Sequence, residues 1–136
     1  MKLKKYEGNP ILKPNPKNEW EEKCVLNPAA IYDEESKKFV MLYRAAGNDV
    51  RHQIKLGLAT STDGIHFERI SDEPVLPCGK PGEWNSSESG HPYAFTDDDG
   101  RQYLFFQGNN DKGKTWYLSC KEIIWQGDMP TFKDLD

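Results

Sequence analysis

His91 is the best-placed titratable side chain of the sequence, because an imidazole ordinarily titrates near neutral pH and can both give and take a proton. Carboxyl groups that could work with it are Glu88, Asp49 and Asp33, whose positions in the chain leave their separation in space open. Glu88 is a candidate for acid–base work, with a solvated loop position as the alternative. Asp33 and Asp97 both enter turns, where a short acceptor side chain satisfies backbone N–H groups, and both are read as structural. Asp97-Asp98-Asp99-Gly100 lacks the alternating ligands and the distal Glu of a calcium loop and is read as a hairpin. His52, His66 and His91 with Cys24, Cys78 and Cys120 offer no zinc spacing. No metal and no cofactor is expected.

The elements that must position these groups repeat along the chain. Pro28-Ala29-Ala30-Ile31-Tyr32-Asp33 lies over Pro92-Tyr93-Ala94-Phe95-Thr96-Asp97, and at the same offset Lys38-Phe39-Val40-Met41-Leu42 lies over Gln102-Tyr103-Leu104-Phe105-Phe106. Gly57-Leu58-Ala59-Thr60 followed by Phe67 corresponds to Tyr117-Leu118-Ser119-Cys120 followed by Trp125, at a somewhat shorter offset. Asp99-Gly100 and Asp63-Gly64 mark hairpins between runs rich in β-branched and aromatic residues. No stretch carries the spacing of a long amphipathic helix. The chain reads as all-β, about four short strands per repeat, which is the content of one four-stranded antiparallel β-propeller blade. Blade one covers approximately residues 9–76 and blade two approximately 77–130, with no pattern in the tail after Pro130. Two blades make an incomplete ring with bare edges, so a homo-oligomer completing the propeller, or membership of something longer, is expected. Asn9-Pro10-Ile11-Leu12-Lys13-Pro14 reads as an extended segment that could latch a neighbouring blade, and Pro74-Val75-Leu76-Pro77 as an outer strand or linker.

Composition narrows the partners. With 36% apolar, 12% aromatic and 29% charged residues the 136-residue chain has the make-up of one folded unit rather than of a disordered segment. Eighteen Lys and Arg against 22 Asp and Glu give a net charge of −4 without a basic block, so nucleic acid is not an expected partner. No apolar run approaches the ~20 residues of a membrane-spanning helix, and Met1–Tyr6 is Lys-rich without a following apolar stretch. No membrane association and a cytoplasmic location are expected. Three widely spaced cysteines fit a reducing compartment better than a disulfide framework, and Asn85-Ser86-Ser87 is read as a chance match to the glycosylation pattern.

The ordered series Asn9-Pro10-Ile11-Leu12, Trp20-Glu21, Asn27-Pro28-Ala29-Ala30, Leu42-Tyr43-Arg44-Ala45 and Gly57-Leu58-Ala59-Thr60-Ser61, running into Asp63-Gly64-Ile65-His66-Phe67-Glu68, resembles glycoside hydrolase family 130. The likeness is strongest over residues 9–76. In the second repeat Glu83-Trp84, Gly90-His91-Pro92-Tyr93, Tyr103 to Gly108 and Trp116-Tyr117-Leu118-Ser119 look like a blade of the same superfamily, which includes families 32 and 43. The resemblance implies a five-bladed propeller of mannoside phosphorylases and related hydrolases, acting on or binding β-linked mannosides. It also implies that Asn27 and Arg44 contact the sugar. In the phosphorylases the blade after the first opens with Glu-Asp-Pro-Arg, whose Asp donates the proton; Gly90-His91-Pro92-Tyr93 stands at the matching positions, without that acid.

The resulting candidates are His91 and Glu88 as catalytic groups and Asn27, Arg44, Trp84 and Asp49 as carbohydrate-binding groups. An Asn amide and an Arg fork together suit vicinal hydroxyls, and glycoside cleavage typically uses two carboxyl groups. Asn27 and His91, each before a proline at the start of an inner strand, are expected to point into one shared cavity. The alternative places Asn27 at a strand cap and Arg44 on an exposed strand face. Trp20, Trp84 and Trp116 present rings able to stack on a sugar; Trp84 is the binding candidate, and Trp116, within an apolar run, is assigned to packing.

Overall fold

The computed structural model describes residues 1–48, 50, 51 and 53–135. Eight strands follow one another: β1 Cys24–Asp33, β2 Lys38–Ala46, β3 Ile54–Ser61, β4 Glu68–Arg69, β5 Glu88–Thr96, β6 Gln102–Asn109, β7 Tyr117–Gln126 and β8 Met129–Asp134, with no helix among the described residues. β1 to β4 pair antiparallel in sequence order, as do β5 to β8. A single parallel pair, Ile54 with Glu88, joins the two four-stranded units. The chain is thus two propeller-type blades and an incomplete ring, in agreement with the sequence.

The turns form where the sequence places them. Gly100 takes φ +84° between β5 and β6, and Gly64 takes φ +74° between β3 and β4, conformations open to a residue without Cβ. Asp33 accepts from the Ser36 N–H and Asp97 from the Asp98 N–H, the structural roles assigned to them. Around Gly64 the Asp63 carboxylate accepts from the Ile65 and His66 amides and lies 2.6 Å from the His66 ring. The His66 hydrogen bond is the main reason its pKa falls far below the ordinary value.

Three features differ from the sequence expectation. The tail forms β8, whose Pro130 is tolerated because the strand is an outer edge and needs no donor on its free side. Asn9 to Leu12 form no strand and do not reach blade two; they lie over Val25, Met41 and Tyr43 on the blade-one face turned away from it. The third difference is register. Ala29 pairs with Leu42, whereas Tyr93, its counterpart, pairs with Phe105 rather than Phe106, because the second hairpin is one residue shorter. Side chains alternate across a strand, so this single residue exchanges the faces: Val40 and Leu42 correspond to Tyr103 and Phe105, and Met41 and Tyr43 to Leu104 and Phe106.

Packing follows from that correspondence. Val40, Leu42, Leu56 and Leu58 of blade one meet Leu104, Phe106 and Ile123 of blade two in a single buried cluster. Leu76 joins it: Val75 and Leu76 donate to the Leu56 carbonyl, so Pro74 to Pro77 do extend the outer edge of blade one. The opposite face of blade one buries Met41, Tyr43, Ala45 and Ala59 beneath Trp20 and Leu12. There Glu21, fully buried, accepts from Arg69, Tyr43 and Asn18, and Arg69 also donates to the Lys13 carbonyl, tying the N-terminal segment across the sheet. Among the described residues the opposite face of blade two has no such cover. Tyr93, Phe95 and Leu118 are exposed there, Leu118 by 75%, beside the half-buried Tyr103 and Phe105.

Candidate carbohydrate site

Both inner strands break their pleat at the residue before proline. Asn27-Pro28 together oppose Tyr43, and His91-Pro92 together oppose Phe106, so each strand carries a one-residue β-bulge. Asn27 and His91 take φ +47° and +48°, a left-handed conformation that costs a non-glycine residue on the order of 1–3 kcal/mol. Both side chains stand exposed at the inner edge of their blades. The predicted equivalence of Asn27 and His91 therefore has a backbone basis.

Beneath His91 lies a buried carboxylate. Glu88 is 2% exposed, at the first residue of β5, and is not a solvated loop side chain. Its Oε2 accepts from Asn109 Nδ2 at 2.9 Å and Trp116 Nε1 at 3.4 Å; its Oε1 accepts from Gln107 Nε2 at 3.3 Å and Arg44 Nε at 3.4 Å. His91 Nδ1 lies 3.4 Å from the same Oε1. Five side chains from both blades thus converge on one acid. Gly90 makes room for them: a Cβ there would lie 2.7 Å from Glu88 Oε1 and 3.3 Å from Arg44 Nε. Arg44 is not an exposed strand residue, since only 16% of its side chain is accessible, and among the described residues it donates through Nε alone. Its two terminal amino groups make no hydrogen bond among the described residues.

A cavity of about 360 Å³ opens beside this cluster, lined by Arg44, Glu88, Asn109, Lys112, Gly113 and Trp116 with Ile54 and Ser87. Neither Asn27 nor His91 lines it, so the structure joins Arg44, Glu88 and His91 and leaves Asn27 at the matching bulge of the other blade. Asp49 lies outside the described residues. The tryptophans differ from the sequence expectation in packing and exposure. Trp84 packs against Phe106 and Tyr117 and over Gly108, whereas Trp116 stands 50% exposed at the cavity. Trp20 is 7% exposed and donates to the Asp72 carbonyl, a packing role. Asn109 and Gln107 were missed because their role exists only once β6 lies beside Glu88. Chemically the cluster offers a guanidinium fork, an amide, an imidazole and an aromatic ring, a set suited to hydroxyls and C–H faces, while Glu88, with both oxygens occupied, is placed to orient its donors.

Residues 2–134 match the glycoside hydrolase family 130 model, described as β-1,4-mannooligosaccharide phosphorylase, and the chain belongs to that family. It is 31% identical to a β-1,2-mannobiose phosphorylase from Thermoanaerobacter sp. (strain X514), an alignment covering 98% of this chain and 45% of that protein. It is 34% identical to a 1,2-β-oligomannan phosphorylase of the same strain, over 88% of this chain and 40% of the relative. A glycosyl hydrolase from Bacteroides ovatus superposes with a TM-score of 0.71 at 27% identity, over 85% of this chain and 36% of that one. The chain therefore spans less than half the length of the curated relatives it matches.

Proposed function

We propose that this chain binds β-linked mannosides at the cavity beside Glu88, with Arg44, Asn109 and Trp116 forming its wall and His91 and Asn27 facing the same end of the blades. The observation that carries the reading is the Arg44–Glu88 pair, which spans the two blades, holds a guanidinium with unused donors at a cavity, and sits in a chain of a mannoside-processing family. His91, which contacts Glu88 but does not line the cavity, is the proton-transfer group if a bound sugar extends from the cavity to it. A second reading, carbohydrate binding without cleavage, is favoured by the carboxylates: among the described residues Glu88 is the one carboxylate lining this cavity, and both its oxygens are engaged. Cleavage then needs acids from further blades, carried by additional copies of the chain or by a longer protein. Additional copies that complete the ring also cover the bare face of blade two. A reducing, cytoplasmic location belongs to the same proposal, in keeping with the wide spacing of Cys24, Cys78 and Cys120 along the chain.

The test is calorimetric titration with β-1,2- and β-1,4-mannobiose, with and without phosphate, alongside a turnover assay. Binding that Arg44→Ala weakens about tenfold supports the site. Absence of binding to either disaccharide by the associated protein overturns it.

A further inference from the structure

Trp116 is both exposed and held. Half its surface is accessible, yet its indole N–H is turned to the buried Glu88 carboxylate at 3.4 Å, so the polar edge is occupied and the surface left to the cavity is apolar. Gly113, at φ +86°, lies against the six-membered ring; a Cβ there would approach Cζ2 to 3.2 Å. The loop carrying Gly113 is itself fixed: Asn109 Oδ1 accepts from the Gly113 amide, and Asp111 Oδ1 from the amides of Lys114 and Thr115. Arg44, whose contact with Glu88 uses Nε, lines the same cavity.

We infer that Trp116 is the stacking platform of the site: its ring takes the C–H face of a pyranose while Arg44 holds hydroxyls at the sugar's edge, so the site selects sugars that present one apolar face. A ring locked before the ligand arrives loses little side-chain freedom on binding, which makes a fixed indole a better platform than a mobile one. The inference rests on the proposal that the cavity binds sugar.

Tryptophan emission and calorimetry with β-1,2-mannobiose test it, using wild type, Trp116→Phe, Trp116→Ala and Trp84→Phe, each checked for an unchanged far-ultraviolet spectrum. The expected result is an emission change on binding that persists in Trp84→Phe and disappears in Trp116→Phe. The dissociation constant should rise a few-fold in Trp116→Phe and at least tenfold in Trp116→Ala. Binding with an unaltered constant in Trp116→Ala, or an emission change that survives in Trp116→Phe, overturns the platform alone. No binding by wild type overturns the sugar site and the platform with it.

Discussion

Replacing Glu88 by Leu removes a carboxylate that is 2% exposed and leaves the donors of Arg44, Gln107, Asn109 and Trp116 facing a hydrocarbon. Breaking a buried ion pair by deleting one partner costs roughly 3–5 kcal/mol. Arg44 keeps 16% of its side chain accessible and can recover some hydration, which places the expected loss near the lower end, about 3 kcal/mol. With a urea slope of about 1–3 kcal/mol per molar for a small protein, the unfolding midpoint falls by about 1–3 M. Adding Arg44→Met to Glu88→Leu removes the stranded guanidinium and recovers part of the loss, while Gln107, Asn109 and Trp116 remain unpaired. Urea denaturation of the two single variants and the double variant, followed by circular dichroism, measures this directly. A loss below about 1 kcal/mol for Glu88→Leu, or a double variant no more stable than that single one, would refute the claim that this acid organises the junction of the blades.

Tyr43 yields a prediction at high pH. Burial, and then the adjacent Glu21 carboxylate, raise its phenol above the ordinary value of 10.0. The folded state retains a proton that the unfolded chain gives up, so stability is full below about pH 10 and falls as pH climbs past it; Tyr43→Phe should flatten that fall in urea midpoints taken from about pH 8 to 11. A wild-type profile flat across this range counts against the buried Tyr43–Glu21 contact. On the bare face, Leu118→Lys should change monomer stability by no more than about 0.5 kcal/mol, because Leu118 is 75% exposed. Under the proposal that copies complete the ring, wild type self-associates in sedimentation velocity and the same change abolishes that association; a monomeric wild type, or a variant that associates as wild type does, would refute this face as the place where copies meet.

How much of this was legible in the sequence depended on whether a feature is local. Asp63-Gly64 and Asp99-Gly100 place their turns because the required backbone conformations are properties of the turn residues themselves. The bulges were half-visible: Asn27-Pro28 and His91-Pro92 stand out as matching pairs, although nothing in the letters specifies a left-handed φ. Register was not visible, since a turn one residue shorter leaves the apolar pattern of Tyr103 to Phe106 readable either way. The packing of Trp84 and the exposure of Trp116 are hidden in the sequence for a related reason. Glu88 looked solvated in a polar neighbourhood of serines, and the strands that bury it, β2 and β6, arrive from distant parts of the chain. Glu21 is a similar case, because its buried partner Arg69 lies 48 residues away.

The pre-proline jog shared by β1 and β5 carries a broader implication. A kink set by the main chain and locked by the following imino acid relieves the side chain at that spot of any duty in the sheet ladder. The two halves of the molecule accordingly bear the same socket with different fittings, an amide in one and an imidazole in the other. Chemistry at the rim can then diverge from copy to copy of a duplicated module without disturbing the scaffold that displays it.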